Sequence, residues 1–274
     1  MDVAPIPKAP LSAVLITRDA ERQLERALAP LAFCSEILIL DSGSRDRTRA
    51  IAAAHGAVWH EHDFEGYGPA KRRAVALASC DWVLSLDADE VLDEQAITAL
   101  AGIDWAAADP RTCWSLRRRP FVGSREIRHG DWAPDWVVRV FNRRHHTVSA
   151  DLVHESVTPT GPLRRLDGSL LHFTAADLAA VFRPDYYRLK AVVYRQRGRR
   201  AGAPVLALRA AVAFVRSYLV RAGFLDGRAG VVVAVAAAAN AVTGLALAAS
   251  ETASVPGSAD VDRRPAPEGG RDPR

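Results

Sequence analysis

Asp87, Ala88 and Asp89 close an apolar run, WVLSLD over residues 82–87. Two carboxylates one residue apart on a strand-end turn can both reach one divalent cation. Such hard oxygen ligands suit Mg2+ or Mn2+ bridging a diphosphate. An ion placed there neutralises charge as a nucleoside diphosphate leaves a sugar. The same acidic residues would also suit the first turn of a helix beginning near Asp93. The strand before them, and two more polar clusters elsewhere, weigh towards the metal.

The second cluster is Asp41-Ser42-Gly43-Ser44-Arg45-Asp46-Arg47-Thr48, after the apolar run EILILD. A carboxylate at that strand end can accept hydrogen bonds from a nucleobase or ribose. An ordinary turn with a Ser or Asp cap has the same composition. The third is Gly66-Tyr67-Gly68-Pro69-Ala70-Lys71-Arg72-Arg73-Ala74. Its glycines allow close backbone approach to a ligand, and a helix begins nearby. Lys71 or Arg72 would meet a phosphate there, or simply form a basic solvated helix face.

Stepping outward, runs 12–17, 36–41 and 82–87 are short, apolar and rich in branched residues, so they predict buried parallel strands. Segments 21–31, 47–55 and 70–79 between them have helical spacing. Alternation of this kind predicts βαβ units in a three-layer α/β/α sandwich with a mainly parallel sheet. Each run ends in polar residues, and ligands of open α/β sheets bind beyond the carboxyl ends of strands. The three clusters therefore point to one site.

Residues 112–174 are rich in Trp, Arg and His and predict the rest of the sheet plus acceptor-binding loops. Residues 175–250 read as helices. One is basic (186–200), one amphipathic (205–220), and 229–249 has no charged residue. The last is long enough to span a bilayer but is mostly alanine, so a buried or interfacial helix is the favoured reading. Arginines 209, 216, 221 and 228 flank these helices and would meet anionic headgroups or solvent. The organisation expected is a flexible start (1–10), a catalytic domain (11–174, halves 11–110 and 111–174), a helical membrane-associating region (175–250) and a disordered tail (251–274).

The chain has 274 residues, a net charge of +4 and a pI of about 9.2. Mild basicity fits an anionic ligand or membrane. The arginines are not interleaved with aromatics on a nucleic-acid module, so no nucleic acid is expected. Cys34, Cys80 and Cys113 form no CxxC pair, which argues against a zinc site or disulfide framework. Reduced thiols and the absence of a signal peptide in MDVAPIPKAP predict a cytoplasmic protein. An aspartyl-phosphate enzyme also uses an apolar strand ending in DxD. That motif usually sits near the chain start and continues with Thr or Val, whereas Glu90 follows Asp89 here.

The order LSAVLITRDAE, ILILDSGSRDRT, EGYGPAKRRAVALASCDWVLSLDADE resembles glycosyltransferase family 2, of GT-A fold. Within it the chain is similar to the bacterial branch of lipopolysaccharide-core β-glucosyltransferases. Pro134-Asp135-Trp136, Arg139-Val140-Phe141, Val153-His154-Glu155 and Gly223-Phe224-Leu225-Asp226-Gly227 carry that likeness, which covers roughly residues 10–250. The resemblance implies inverting transfer of a hexose such as glucose from a nucleotide sugar, a UDP-sugar first. The implied acceptor is an envelope glycan or lipid-linked precursor, met at the inner face of the cell membrane through peripheral contact.

By the resemblance, Asp41 contacts the base and Asp89 is the main metal ligand. Asp87 contacts ribose or metal. His154, beside Glu155, would assist at metal or diphosphate, or is a hydrogen-bonded histidine near the core. Thr17, Arg18, Asp19 and Glu21 form the first-strand nucleotide stretch, with Ser42 and Lys71 in the other donor clusters. The usual Asn followed by two acidic residues is altered to Asp19-Ala20-Glu21. Inversion needs a base for the acceptor hydroxyl. Glu155 is the first candidate and Asp135 the second. Arg139 would bind the diphosphate or bridge a structural carboxylate. His172 is read as structural, and Trp132 and Trp136 as sugar-stacking or core residues. The competing expectation is an inactive member that binds a nucleotide sugar or a partner.

Overall fold

A computed structural model describes residues 8–133, 135–153 and 155–249. The first half is built from four parallel strands: β1 (Ala9–Thr17), β2 (Cys34–Asp41), β3 (Val58–Glu61) and β4 (Trp82–Asp87). Helices α1 (Leu24–Leu28), α2 (Thr48–Ala54) and α3 (Tyr67–Leu77) connect them. Alternate residues of a strand face opposite sides. Leu11, Ala13 and Leu15 of β1 therefore pack in one layer with Leu24, Leu28 and Ala52 of α1 and α2. Val14 turns the other way, into a second layer with Ala70, Ala74 and Val75 of α3. A strand covered on both faces must be apolar throughout, which is why β1 reads LSAVLIT without a polar face.

The helix expected over 21–31 is shorter. α1 gives way to a 3-10 turn over Ala29–Phe33, because Pro30 has no amide hydrogen to continue the α pattern.

The second half of the sheet adds β5 (Glu90–Leu92), β6 (Cys113–Val122), β7 (Arg125–Glu126), β8 (Asp135–Asn142) and β9 (Leu163–Ala175). The strand order is β3-β2-β1-β4-β8-β6-β9-β5, with β7 on β6. The first four strands are parallel, as expected. β8 runs antiparallel to both β4 and β6, since no crossover helix separates β6 from β8. Helix α4 (Glu94–Ala101) follows β5, with the Asp93 side chain accepting from the Ala96 amide at 2.8 Å as its cap. Both readings of the acidic run therefore have substance: Asp93 caps a helix, while Asp87 and Asp89 lie before it.

Helices α5 (Pro184–Gln196), α6 (Ala203–Val215) and α7 (Arg228–Ala249) complete the described chain. A π-helical turn, Arg216–Val220, extends α6. This helical region shares a core with the sheet: Val122, Ile127 and Ala175 pack with Val181, Ala229, Val233 and Ala236. Asp226 of the Gly223–Asp226 turn accepts from the backbone amides of Arg128 and His129 at 3.1 and 2.8 Å. Asp131 pairs with Arg216 and Arg221 at 2.7 and 3.1 Å. The GFLDG sequence is thus the joint that fastens the helices to the sheet. Segments Ala203–Val220 and Arg228–Ala249 have mean hydropathies of 1.5 and 2.1 and are long and apolar enough to cross a membrane.

Candidate active site

Strand register brings the polar ends together. Thr17 lies opposite Asp41 across β1 and β2, and Ile16 lies opposite Asp87 across β1 and β4. Beyond these ends opens a cleft of about 1930 Å³. Thr17, Arg18, Asp19, Ser42, Asp87, Asp89, Asp135, Arg139 and Glu155 line it. Asp41, Glu21 and Lys71 are not among the lining residues; Asp41 and Lys71 are buried and Glu21 is exposed.

Asp41 is buried and organises its own turn. Its carboxylate accepts from Thr17 Oγ1 at 2.7 Å, from the Gly43 and Ser44 amides at 2.9 and 2.7 Å, and from Ser44 Oγ at 2.5 Å. Gly43, at φ +87°, permits the tight return. Asp19 and Glu21 do a related job. Their carboxylates accept from the Arg45 and Arg47 amides at 2.8 and 3.1 Å, joining the loop after β1 to the loop after β2. The acidic residues of the first stretch therefore shape this wall of the cleft.

Lys71 is 3% exposed, and its Nζ lies 2.7 Å from Asp87 Oδ1 and 2.8 Å from Glu155 Oε1. It ties the end of β4 to the loop carrying Glu155. The α3 N-terminus it belongs to is covered as well, because the Tyr67 and Gly68 amides donate to the carbonyls of Leu152 and Asp151 at 3.1 Å each. Burial would lower the Lys71 pKa, but Asp87 foremost, with Glu155 and Glu90, outweighs burial and Arg139 and raises it. Asp87 shows the converse. Burial would raise its pKa, and Lys71 and Arg139 hold it far below the ordinary carboxylate range.

Arg139, 9% exposed, places Nη2 3.1 Å from Asp87 Oδ2 and 2.5 Å from Glu90 Oε1. Burial would lower its pKa, and Glu90 with Asp87 raises it above its usual value. Glu90 is fully buried, and its Oε2 accepts from the Asp87 amide at 3.1 Å. Arg118 binds Asp135 through Nε and Nη2 at 2.9 and 2.5 Å, and its Nη1 lies 3.6 Å from Glu90. Glu90 and Arg118 are site-positioning residues that sequence reasoning missed. In the run EVL, Glu90 and Leu92 turn inward and Val91 does not, which the three residues alone do not announce.

Among the described residues, Asp87, Glu90, Asp135 and Glu155 each have a lysine or arginine within ion-pair distance, and Asp89 has none. Its one charged-group neighbour is His172, whose Nε2 lies 3.3 Å from Asp89 Oδ2. His172, expected to be structural, lines the cleft beside the acidic motif, because β9 pairs it with Glu90. His154 lies outside the described residues. Trp132 lines the cleft, whereas Trp136 is exposed and stacks under Arg165, 4.6 Å from ring centroid to guanidinium. The described residues form no group of three or more His, Cys, Asp or Glu ready to hold a metal by themselves. An uncompensated Asp89, with Asp87 one residue away, fits an ion held by one or two carboxylates and completed by ligand phosphates and water.

A family-wide sequence profile described as Glycosyl transferase family 2 matches residues 12–189. The chain belongs to glycosyl transferase family 2. The matched segment runs from β1 into α5, so it holds the strand-end residues of the cleft named above. The chain is 31% identical over 255 residues to a lipopolysaccharide core biosynthesis glycosyltransferase, LpsC, of Rhizobium meliloti (strain 1021), covering 85% of this chain and 92% of that one. It is 43% identical over 94 residues to a TPR repeat-containing protein of Synechococcus elongatus, covering 34% of this chain and 23% of that one. Among solved structures, S. aureus TarS 1-349 in complex with UDP-GlcNAc matches with a TM-score of 0.44 and 14% identity, covering 67% of this chain and 65% of that one. For a family 2 protein, the likeness to LpsC reaches further along the chain than the family segment alone.

Proposed function

We propose that this family 2 protein transfers a hexose, glucose first, from a UDP-sugar to an envelope glycan or lipid-linked acceptor, with inversion, at the cytoplasmic face of a membrane. The observation that carries the reading is the Asp89 carboxylate, which among the described residues has no lysine or arginine partner, whereas its neighbours at the strand ends, Asp87, Glu90, Asp135 and Glu155, each have one. That arrangement leaves a carboxylate at which positive charge is wanted, beside the strand ends where a nucleotide would lie. A divalent ion, Mg2+ or Mn2+, held by Asp89 with Asp87 beside it would supply charge neutralisation at the departing diphosphate.

In this reading, Thr17, Arg18, Asp19 and Ser42 form the wall against the nucleotide. Asp41, Glu21 and Lys71 hold that wall and the acidic motif in place. Arg139 fixes Asp87 and presents positive charge towards the diphosphate. The acceptor hydroxyl oxygen forms the new bond to the anomeric carbon, the bond to the diphosphate oxygen breaks, and Glu155 takes the hydroxyl proton. Lys71 keeps the Glu155 carboxylate turned to the cleft. Asp135, held by two bonds from Arg118, is the second candidate for the base. The likeness to LpsC supports the envelope acceptor, and the exposed apolar helices support peripheral membrane contact.

Exchange of Glu155 for Gln tests the assignment. Glu155→Gln should keep UDP binding and lower the transfer rate by roughly 10²-fold or more, the usual contribution of a general base. Wild-type turnover in a folded Glu155→Gln protein would move the role to Asp135, and Asp135→Asn would then show the loss.

A further inference from the structure

The cleft does not end at the donor wall. It continues to the helices, where Arg183, Tyr186, Lys190 and Tyr194 meet Arg209 and Asn240. Lys190 is 8% exposed, and its Nζ donates to the Asn240 carbonyl and Oδ1 at 3.0 and 2.8 Å. The rings of Tyr186 and Tyr194 lie 5.8 Å from the same nitrogen. No carboxylate is within ion-pair distance of Lys190, Arg209 or Arg183 among the described residues. The two carboxylates at this end are already taken: Asp185 pairs with Arg188, and Asp131 with Arg216 and Arg221.

A buried ammonium facing neutral groups and a second cation, with no carboxylate partner, is costly, and an anion there would offset that cost. Burial first, then Arg209, pulls the Lys190 pKa down to about 8, which is what an absent counter-ion produces. The wall beside it is apolar. Leu208 and Val212 line the cleft and are 65% and 56% exposed, and the exposed stripe continues to Leu219 and Val220. A cationic pocket with an apolar rim matches one chemical class, a phosphate attached to a hydrocarbon chain.

We propose that Lys190, Arg209 and Arg183 form an anion subsite, separate from the donor site, that binds the phosphate of an amphiphilic acceptor whose chain lies along Leu208 and Val212. This rests on the glycosyltransferase reading for the word acceptor, but the subsite itself is defined by these residues alone. It gives the enzyme a means of holding the acceptor by its phosphate while the sugar end reaches Asp89 and Glu155 in the same cleft. The groups facing Lys190 are Tyr186 and Tyr194 on α5, Arg209 on α6 and the neutral Asn240 on α7. Phosphate binding should therefore weaken as pH rises through about 8.

The test is calorimetric titration of the full chain with dodecyl phosphate below its aggregation concentration, alongside inorganic phosphate and dodecyl maltoside. UDP with Mn2+ is titrated separately. Dodecyl phosphate should bind at least ~10-fold more tightly than inorganic phosphate, with no competition from the maltoside. Arg209→Gln, an exposed position, and Lys190→Gln, checked by its melting temperature, should each weaken it ~10-fold or more while leaving UDP binding unchanged. Unchanged dodecyl phosphate affinity in folded Arg209→Gln would overturn the subsite. Equal affinity for inorganic phosphate would overturn the apolar part and assign the site to free phosphate. Failure of UDP to bind, with dodecyl phosphate still held, would count against the donor reading and leave the subsite standing.

Discussion

At the residue scale, the site depends on charges that neutralise one another beside Asp89, which has no lysine or arginine partner among the described residues. Glu90 is the hub, since it accepts from the Asp87 amide and faces both Arg139 and Arg118. Removing its charge leaves a buried guanidinium under-compensated. Glu90→Gln should cost about 3–5 kcal/mol of stability, the usual penalty for breaking a buried pair, read as a lower denaturant midpoint. A midpoint equal to wild type would mean that Asp87 alone satisfies Arg139. Asp87, Asp89 and Asp41 were legible as candidates because each sits at the end of an apolar run. The partners were not. Lys71 and Glu155 are far apart in the chain, and no local pattern announces a contact made across the cleft. His172 was read as structural because its own stretch, LLHFT, is apolar. Its place beside Asp89 comes from strand pairing alone.

At the element scale, the parallel first half follows from its sequence, since apolar runs of strand length alternate with helical segments. β5, β7 and the 13-residue β9 were harder to foresee, because β5 and β7 are too short for a periodic signal and β9 carries polar residues along an otherwise apolar strand. Gly168 in β9, at φ +88°, sits where a Cβ would collide with the Ala96 backbone, so α4 can approach the sheet only there. The β6–β7 hairpin carries its own ionic clasp. Hydrogen bonds from Arg119, then from Arg128, outweigh burial and hold the Glu126 carboxyl at a pKa of about 2. A carboxyl depressed by folding stabilises the protein above its unfolded pKa of about 4.5, and that contribution is lost as pH falls towards 2. The stability gap between wild type and Glu126→Gln should be full at pH 7 and shrink between pH 4.5 and 2. A gap that stays constant over that range would place its cause elsewhere.

At the scale of the whole molecule, the helical region is part of the enzyme's body. It shares a core with the sheet and is latched by Asp131 and Asp226. The sequence predicted three helices here, although the first ends at Gln196 instead of 200 and the second passes into a π-turn after Val215, but it did not predict this joint, because GFLDG looks like a simple break between helices. The outer surface of α6 and its π-helical turn leaves Leu208, Leu219 and Val220 exposed at 65%, 55% and 75%. Arginines flank that stripe, which suits insertion at an anionic bilayer surface. Leu219→Glu with Val220→Glu should reduce co-sedimentation with vesicles containing phosphatidylglycerol, while the melting temperature stays near wild type. Equal sedimentation of the variant would rule out this stripe as the contact.

The central claim is that Asp89 is the point at which the donor's charge is met. It is tested most directly by the melting temperature of wild type and Asp89→Ala with UDP-glucose, each with and without Mn2+. Wild type should rise with donor and metal together, through binding to the native state, and Asp89→Ala should remain folded without that metal-dependent rise. A metal-dependent rise of the same size in Asp89→Ala would contradict the account.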